Sequence, residues 1–388
     1  MLIRDYRPDD DGEIARLLRL AFGVTQQVTQ LAEYWPKGWN DRRAQVAELD
    51  GRPVGFIRVR EYQQYFGGAA VPMGGVASVA VAPHVRRRGV ASALLAAAIA
   101  DMREHGEVIS ALYQSAIPVY RLSGWENVGV YERAQVGPQD FATLPRPAGD
   151  VPVRLADKAD LPAIHAAYTA VASTVDGMLD RATAEMAPER VLDFDVVLVA
   201  GEDARGYLTA ARYGDRLVCH DVVAPDRDTA LALLGSLASW TGQLTKVELR
   251  IMDPAWWQLL RTRPTDYFPE VDPWMLRVVD LPAAVAARGW PTAAHLAPLA
   301  VDIEVHDEQA PWHTGRHRLV LDGGTVRCEP GGSGAVRLSA RALGPWFAGS
   351  SDSAALRRAG LLDGDADAAR LLDVLTGAPH PVRMADSF

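Results

Sequence analysis

The chain has 388 residues, more than one hydrophobic core usually organises, so two or three domains are expected. A composition of 48% hydrophobic and 23% charged residues fits a folded globular protein, and a net charge of −9 argues against general affinity for nucleic acid. Two cysteines, Cys219 and Cys328, are too few for a disulfide framework or a cysteine zinc site, and no His/Cys cluster has ligand spacing, so no metal is expected.

In chain order, the opening "MLIRDYRPDDDGE" lacks the apolar core of a signal peptide, and the longest nearly apolar run, "VASALLAAAIA", is too short to span a bilayer. A cytoplasmic protein without membrane contact is expected. "MLIRDYRP" reads as a strand and "DDDGEIARLLRLAFG" as an amphipathic helix. "RRAQVAELDGRPVGFIRVREY" reads as a hairpin turning at Asp50-Gly51, and "GGVASVAVAP" as a buried strand. A helix from about Gly89 to Glu104 follows, apolar at positions 90, 91, 94, 95, 98, 99 and 102, the spacing of one buried face. "VISALY" is a strand, "PVYRL" a short helix opened by Pro118, and "WENVGVYERAQV" a further strand. The Pro- and Gly-rich stretch 137–153 is a linker.

The pattern then restarts. "VRLADKADLPAIHAAYTAVA" repeats the opening strand and helix, and "HDVVAPDRDTALALLGSLASW" echoes "SVAVAPHVRRRGVASALLAAAIA", which indicates a duplicated domain. A second linker is read at "TRPTDYFPEVDPW". From about Leu281 the chain reads as helices at "LPAAVAARG", "SARALGPWFAG" and "DADAARLLDVLTG", with a hairpin at "RHRLVLDGGTVRCEP" turning on Gly323-Gly324.

The turn "HVRRRGVAS" places Arg86, Arg87 and Arg88 between a strand and a helix start. The first N–H groups of a helix lack internal partners and lie at the positive end of the macrodipole. Gly89 would let a bulky anion reach that backbone, Ala91 and Ser92 keep the first turn slim, and the arginines add charge, a combination suited to a pyrophosphate. The other reading is a solvated basic loop capping a core helix. Neither the Gly-x-x-x-x-Gly-Lys-Ser/Thr loop of ATPases nor a dinucleotide-type Gly-x-Gly-x-x-Gly opens a helix here. In its strand–helix–strand–strand–strand–helix setting, the Arg-x-x-Gly-x-Ala turn resembles the coenzyme A turn of the GCN5-related N-acetyltransferases. The resemblance implies that Arg86, Arg87, Arg88, Gly89, Val90, Ala91 and Ser92 hold the pyrophosphate of acetyl-CoA, with Val79, Ala80 and Val81 beside the pantetheine arm.

At "LYQSAIPVYRLSGW" the resemblance places Tyr120 as the acid that protonates the departing thiolate, and Ser115 and Ala116 near the thioester. A phenol of ordinary pKa about 10 suits that task. A core tyrosine and a plain strand-end hydroxyl are the structural alternatives. Ala116 departs from the family pattern, which often has an acidic residue there. The strand "VPMGGVASVAVAP" holds no Asp, Glu or His, and His84 reads as a loop residue, so the base that deprotonates the amine must come from elsewhere.

Over its whole length the chain resembles the Eis family of aminoglycoside-type N-acetyltransferases. The likeness is carried by "SVAVAPHVRRRG" and "SAIPVYRLSGW", and in the last third by "PWHTGRHRL" and "ALGPWFAGSSDSAALRRAG". It implies an α/β (α+β) chain of two tandem GNAT folds, an active one at 1–148 and a degenerate one at 149–280, followed by a sterol-carrier-protein-like domain at 281–388. It further implies a homohexamer, and a terminal carboxylate, here of Phe388, that reaches back to the active site as the base. The expected activity is acetyl transfer from acetyl-CoA to a primary amine of a cationic small molecule, aminoglycoside-like, or of a lysine side chain. "GVTQQVTQLAEYWPKGW" matches no acceptor pocket of that family. Another acyl-CoA, a dedicated metabolite amine, or a non-catalytic coenzyme A sensor are the alternatives.

Overall fold

The computed structural model describes residues 1–23, 43–183, 188–253, 255–259, 270–377 and 379–387. In its first part, β1 (Leu2–Asp5) leads into α1 (Asp11–Phe22), which buries Ile14, Leu17 and Leu18 at helical spacing. Next come β2 (Ala44–Leu49), β3 (Arg52–Phe66) and β4 (Ala69–Val81), the last two forming a hairpin that turns on Gly67 and Gly68. Only glycine fits at that tip: a Cβ on Gly67 would lie 2.0 Å from the carbonyl oxygen of Gly289. α2 (Val90–Glu104) buries Val90, Leu94, Leu95, Ala98, Ile99 and Met102 against the sheet, and Ala91 is half-exposed. β5 (Ile109–Tyr113), α3 (Ile117–Leu122) and β6 (Glu126–Val136) complete the segment.

The second part repeats the plan with β7 (Val153–Leu155), α4 (Leu161–Ala172), β8 (Val196–Ala200), β9 (Gly206–Tyr213), β10 (Arg216–Val223), α5 (Arg227–Ser236), β11 (Lys246–Arg250) and β12 (Glu270–Val278). The two parts form a single sheet ordered β1-β2-β3-β4-β5-β12-β6-β11-β10-β9-β8-β7. Its centre is an exchange: β12 pairs antiparallel with β5, from Trp274 opposite Tyr113 to Val278 opposite Ile109, while β6 pairs with β11. Each half is therefore closed by the strand that follows the other half's fifth strand. The stretch read as a second linker is corrected here: Glu270 to Trp274 belong to β12, and the remainder lies outside the described residues. Pro273 lacks a donor, and the strand accommodates it beside a register shift at Trp274/Met275.

The third part starts with α6 (Leu281–Ala287). Its sheet, ordered β15-β14-β13-β16-β17, is built from β13 (Leu299–His306), β14 (Gly315–Asp322), β15 (Thr325–Pro330), β16 (Val336–Ser339) and β17 (Leu362–Gly364). α7 (Ala340–Phe347), α8 (Ser353–Arg358) and α9 (Ala366–Thr376) pack with it. Its core is continuous with the large sheet: Phe66 and Met73 of the first part and Trp274 of β12 join Trp346 and Phe347 in one buried cluster. Both cysteines are free, and no helix among the described residues is long and apolar enough to cross a membrane.

Candidate functional site

β4 and β5 run parallel, but their pairing is confined to Met73–Gly75 opposite Ile109–Ala111. Beyond Gly75 the strands part. The cause is local: Ser78 takes a left-handed φ of 58°, and the register with β3 slips between Ala77 and Ala80. A bulge bends and twists a strand, and here it leaves Val79, Ala80 and Val81 without a ladder partner on the β5 side.

The chain leaves this opening through the turn Pro83–Val85 and reaches α2 by two left-handed residues, Arg87 (φ 63°) and Gly89 (φ 78°). A left-handed arginine is costly, about 1–2 kcal/mol, so the turn is held against its preference. The first helical bond runs from Ala93 N–H to the Gly89 carbonyl, which leaves the N–H groups of Val90, Ala91 and Ser92 outside the ladder. No side chain caps this end, and no acid sits in its first turn. Arg86, Arg87 and Arg88 are exposed around it, Arg86 Nε donating to the Val81 carbonyl at 3.3 Å. A Cβ on Gly89 would meet nothing within 4 Å. An uncapped helix end with open space before it and three cations around it fits a pyrophosphate. Exposed His84 belongs to the turn itself.

Past the end of β5, Ser115 Oγ and the Tyr120 hydroxyl share a hydrogen bond of 3.2 Å. Tyr120 is 4% exposed, and burial pushes its phenol above the ordinary value although the Ser115 hydroxyl works against the shift. Burial keeps this phenol protonated, so that it stands as a hydrogen-bond donor, and the same shift makes it a weaker acid than a free phenol. The Tyr120 carbonyl accepts from the N–H groups of Ser123 and Trp125, so "YRLSGW" closes on itself, and Ala116 is the residue preceding α3. Ser115, Ala116 and Tyr120 are thus brought together; the arginine turn lies at the other end of β4's opened stretch.

The sequence reading missed what surrounds this tyrosine. Arg277 of β12, fully buried, donates to the Ser123 carbonyl and at 2.7 Å to Asp307, which His313 also holds at 2.9 Å. Burial opposes the Asp307 charge, but the hydrogen bonds from His313 and Arg277 outweigh it and hold the carboxyl at about 2. Glu126 takes Arg121 of α3 on one oxygen and Arg341 of α7 on the other, each within 3.0 Å. The third part therefore holds the α3 loop directly through Arg341 and, by way of Asp307, through Arg277 of β12. An arginine in a strand with partners 30 and 154 residues away leaves no local signal.

The last residues approach the same place. Val130 and Arg383 form a parallel bridge, and the Tyr113 hydroxyl donates to the Asp386 carbonyl at 2.7 Å. Ser387 lines an open pocket of about 450 Å³ with Tyr113, Gln114, Tyr131, Arg133, Asp272 and Pro273. Phe388 and residues 24–39 of the unmatched acceptor segment lie outside the described residues. Among the described residues, no group of three or more His, Cys, Asp or Glu side chains could hold a metal.

The fold agrees with what the chain is similar to. Residues 2–128 match the acetyltransferase (GNAT) domain family, and residues 281–384 the sterol carrier protein domain family. An uncharacterized N-acetyltransferase of Streptomyces coelicolor is 31% identical over 91% of both chains, and one of Streptomyces avermitilis 28% identical over 92% of both. The crystal structure of a GCN5-related N-acetyltransferase from Kribbella flavida superposes with a TM-score of 0.87 at 28% identity, covering 100% of this chain and 98% of that one. Eis1 from Mycobacterium abscessus shares the fold, with a TM-score of 0.77 at 23% identity over the full length of both. Fold and sequence together define an acyl-CoA-dependent N-acetyltransferase. The chain belongs to the GCN5-related N-acetyltransferases, as a member that carries a sterol carrier protein domain after the sheet.

Proposed function

We propose that the first half moves acetyl from acetyl-CoA to a primary amine of a cationic small molecule, aminoglycoside-like, or of a lysine side chain. The turn Arg86 to Ser92 takes the pyrophosphate, the free edge Val79 to Val81 takes the pantetheine amides, and the thioester ends at Ser115, Ala116 and Tyr120. The amine lone pair attacks the thioester carbon; the C–N bond forms, the C–S bond breaks, and the Tyr120 hydroxyl gives its proton to the sulfur. The ammonium proton goes to the α-carboxylate of Phe388, directly or through water. Support for the base comes from Ser387 on the wall of the pocket beside β5 and from the absence of any Asp, Glu or His on β4.

The observation that carries this reading is the Ser115–Tyr120 hydroxyl pair just past the strand that β4 deserts. The net charge of −9 favours a cationic acceptor; on the pocket wall itself Asp272 is paired with Arg133 at 3.4 Å. A thiol-release assay with acetyl-CoA against aminoglycosides, polyamines and lysine peptides tests it; release without any of these amines, or with none of them, sinks the acceptor class. A homohexamer in the cytoplasm belongs to the same proposal, and light scattering on the purified chain checks the assembly.

A further inference from the structure

The two halves align at "SVAVAP" and "HDVVAP", which sets Asp221 where the first half has Val79. Both positions adjoin a bulge, the second half slipping register between Cys219 and Asp221. In the first half this position borders the opening beside β5. In the second, Asp221 is buried and holds both terminal nitrogens of Arg181, at 2.6 and 3.0 Å. The other face of the same guanidinium holds Asp386, at 2.9 Å from Nη2 and 3.2 Å from Nε. The Tyr168 ring packs against it, with its centre 4.1 Å from Cζ. The Asp386 backbone carbonyl in turn accepts from Tyr113 of the first half, and Ser387 stands on the pocket wall.

We infer that Arg181 is a positioning residue for the acceptor pocket: braced by Asp221, it seats Asp386 and thereby fixes the last residues of the chain against Tyr113. The inference rests on the pocket beside β5 being the acceptor site. A planar guanidinium can bind carboxylates along two edges at once, which an ammonium cannot, so the seat depends on arginine and not on charge alone. The remnant of the second half's cofactor opening has become a socket for the tail. Asp221 is buried and Asp386 half-buried, and Arg181 is the cation that bridges the two carboxylates; Arg250, at 4.0 Å from Asp221, does not reach Asp386 by any ion pair among the described residues.

The test uses the full chain and two mild variants, Asp386→Asn, which leaves the Arg181–Asp221 pair intact, and Arg181→Lys, which keeps the charge and loses the fork. Carboxypeptidase Y release of the C-terminal Phe, followed by intact mass, reads the seating without any acceptor. Both variants should release it about tenfold or more faster than the unaltered chain, with acetyl-CoA affinity little changed. With the acceptor found in the amine panel, both should lose about tenfold or more in kcat/KM for the amine and keep KM for acetyl-CoA, since small displacements of reacting groups cost that much. A chain lacking Asp386 to Phe388 separates the inference from its basis. If that truncation keeps full kcat/KM for the amine, the pocket is not the acceptor site and the basis falls. If truncation is damaging while both point variants keep unaltered release and kinetics, the tail matters but Arg181 does not seat it, and the inference alone is overturned.

Discussion

The two halves of the sheet share a skeleton and differ in charge. Both open on the same device: Arg4 binds Asp10 through two bonds of 2.8 Å, and Arg154 binds Asp160 through two bonds of 2.7 Å, each pair fixing the step from first strand to first helix. At the helix after the fourth strand they diverge. α2 begins uncapped behind Gly89 and three exposed arginines, whereas α5 is capped by Asp226, which takes the Thr229 N–H at 2.8 Å and its hydroxyl at 3.0 Å. Arg205 stands behind that hydroxyl, at 3.1 Å. The second half has put its own carboxylate at the helix end, so the same backbone is left open in one copy and is a finished cap in the other.

The largest effect should come from Gly89→Glu, which makes the first half resemble the second. The side chain enters open space and costs about 1–2 kcal/mol of left-handed strain, so the fold survives while the added charge repels a pyrophosphate. Calorimetric titration of coenzyme A should show one site per chain before the substitution and none after it. Two sites, or an unchanged isotherm in the folded variant, would break the contrast between the halves. Because β6 and β12 are exchanged, this titration needs the whole chain; a separated half would lack a central strand.

Next in size is Asp307→Asn. Removing one partner of a buried pair costs about 3–5 kcal/mol, measured by urea unfolding at pH 7. The Asp307 carboxyl sits at about 2 when folded, below the ordinary value of about 3.9, so its stabilisation is complete above about pH 4 and is lost as pH falls through about 2. The gap between the unaltered chain and the variant should narrow over that window, by at most about 2.6 kcal/mol; a gap constant from pH 7 to 2 would refute the assignment. Tyr120→Phe should lower kcat about a hundredfold with little change in coenzyme A affinity, and a loss within about threefold would make the tyrosine structural. The smallest effect is expected from Asp160→Asn in the second half, at most about 1 kcal/mol, because Arg154 is half-exposed and solvent screens the pair. A loss in melting temperature as large as that of Asp307→Asn would mean that the repeated pair organises its half.

Local chemistry makes much of this legible in the amino-acid sequence. The periodicity from Val90 to Met102 marks the buried face of α2, Gly89 marks a left-handed start, and the repeated "VAP" exposes the duplication and the loss of the arginines. What stays hidden is non-local. "EVDPW" carries the Pro and Asp of a linker, yet its place is decided by β5 and β6, between whose edges β12 is hydrogen-bonded. Arg181 and Asp386 are 205 residues apart in sequence, and neither has a neighbour that announces the other. Ser115 and Tyr120 stand out singly in the sequence; the hydrogen bond they share does not.

The strand exchange also sets a timetable for synthesis. β5 is translated long before β12, its partner on that side, and at about 5–20 residues per second roughly ten to thirty seconds separate them on the ribosome. During that interval the growing chain carries the whole arginine turn and Tyr120 but an unpaired edge at Ile109 to Tyr113, the kind of edge that invites another nascent chain. The half that carries the arginine turn is thus the first to be made and among the last to be finished, closed by a strand that arrives only after most of the second half has been translated.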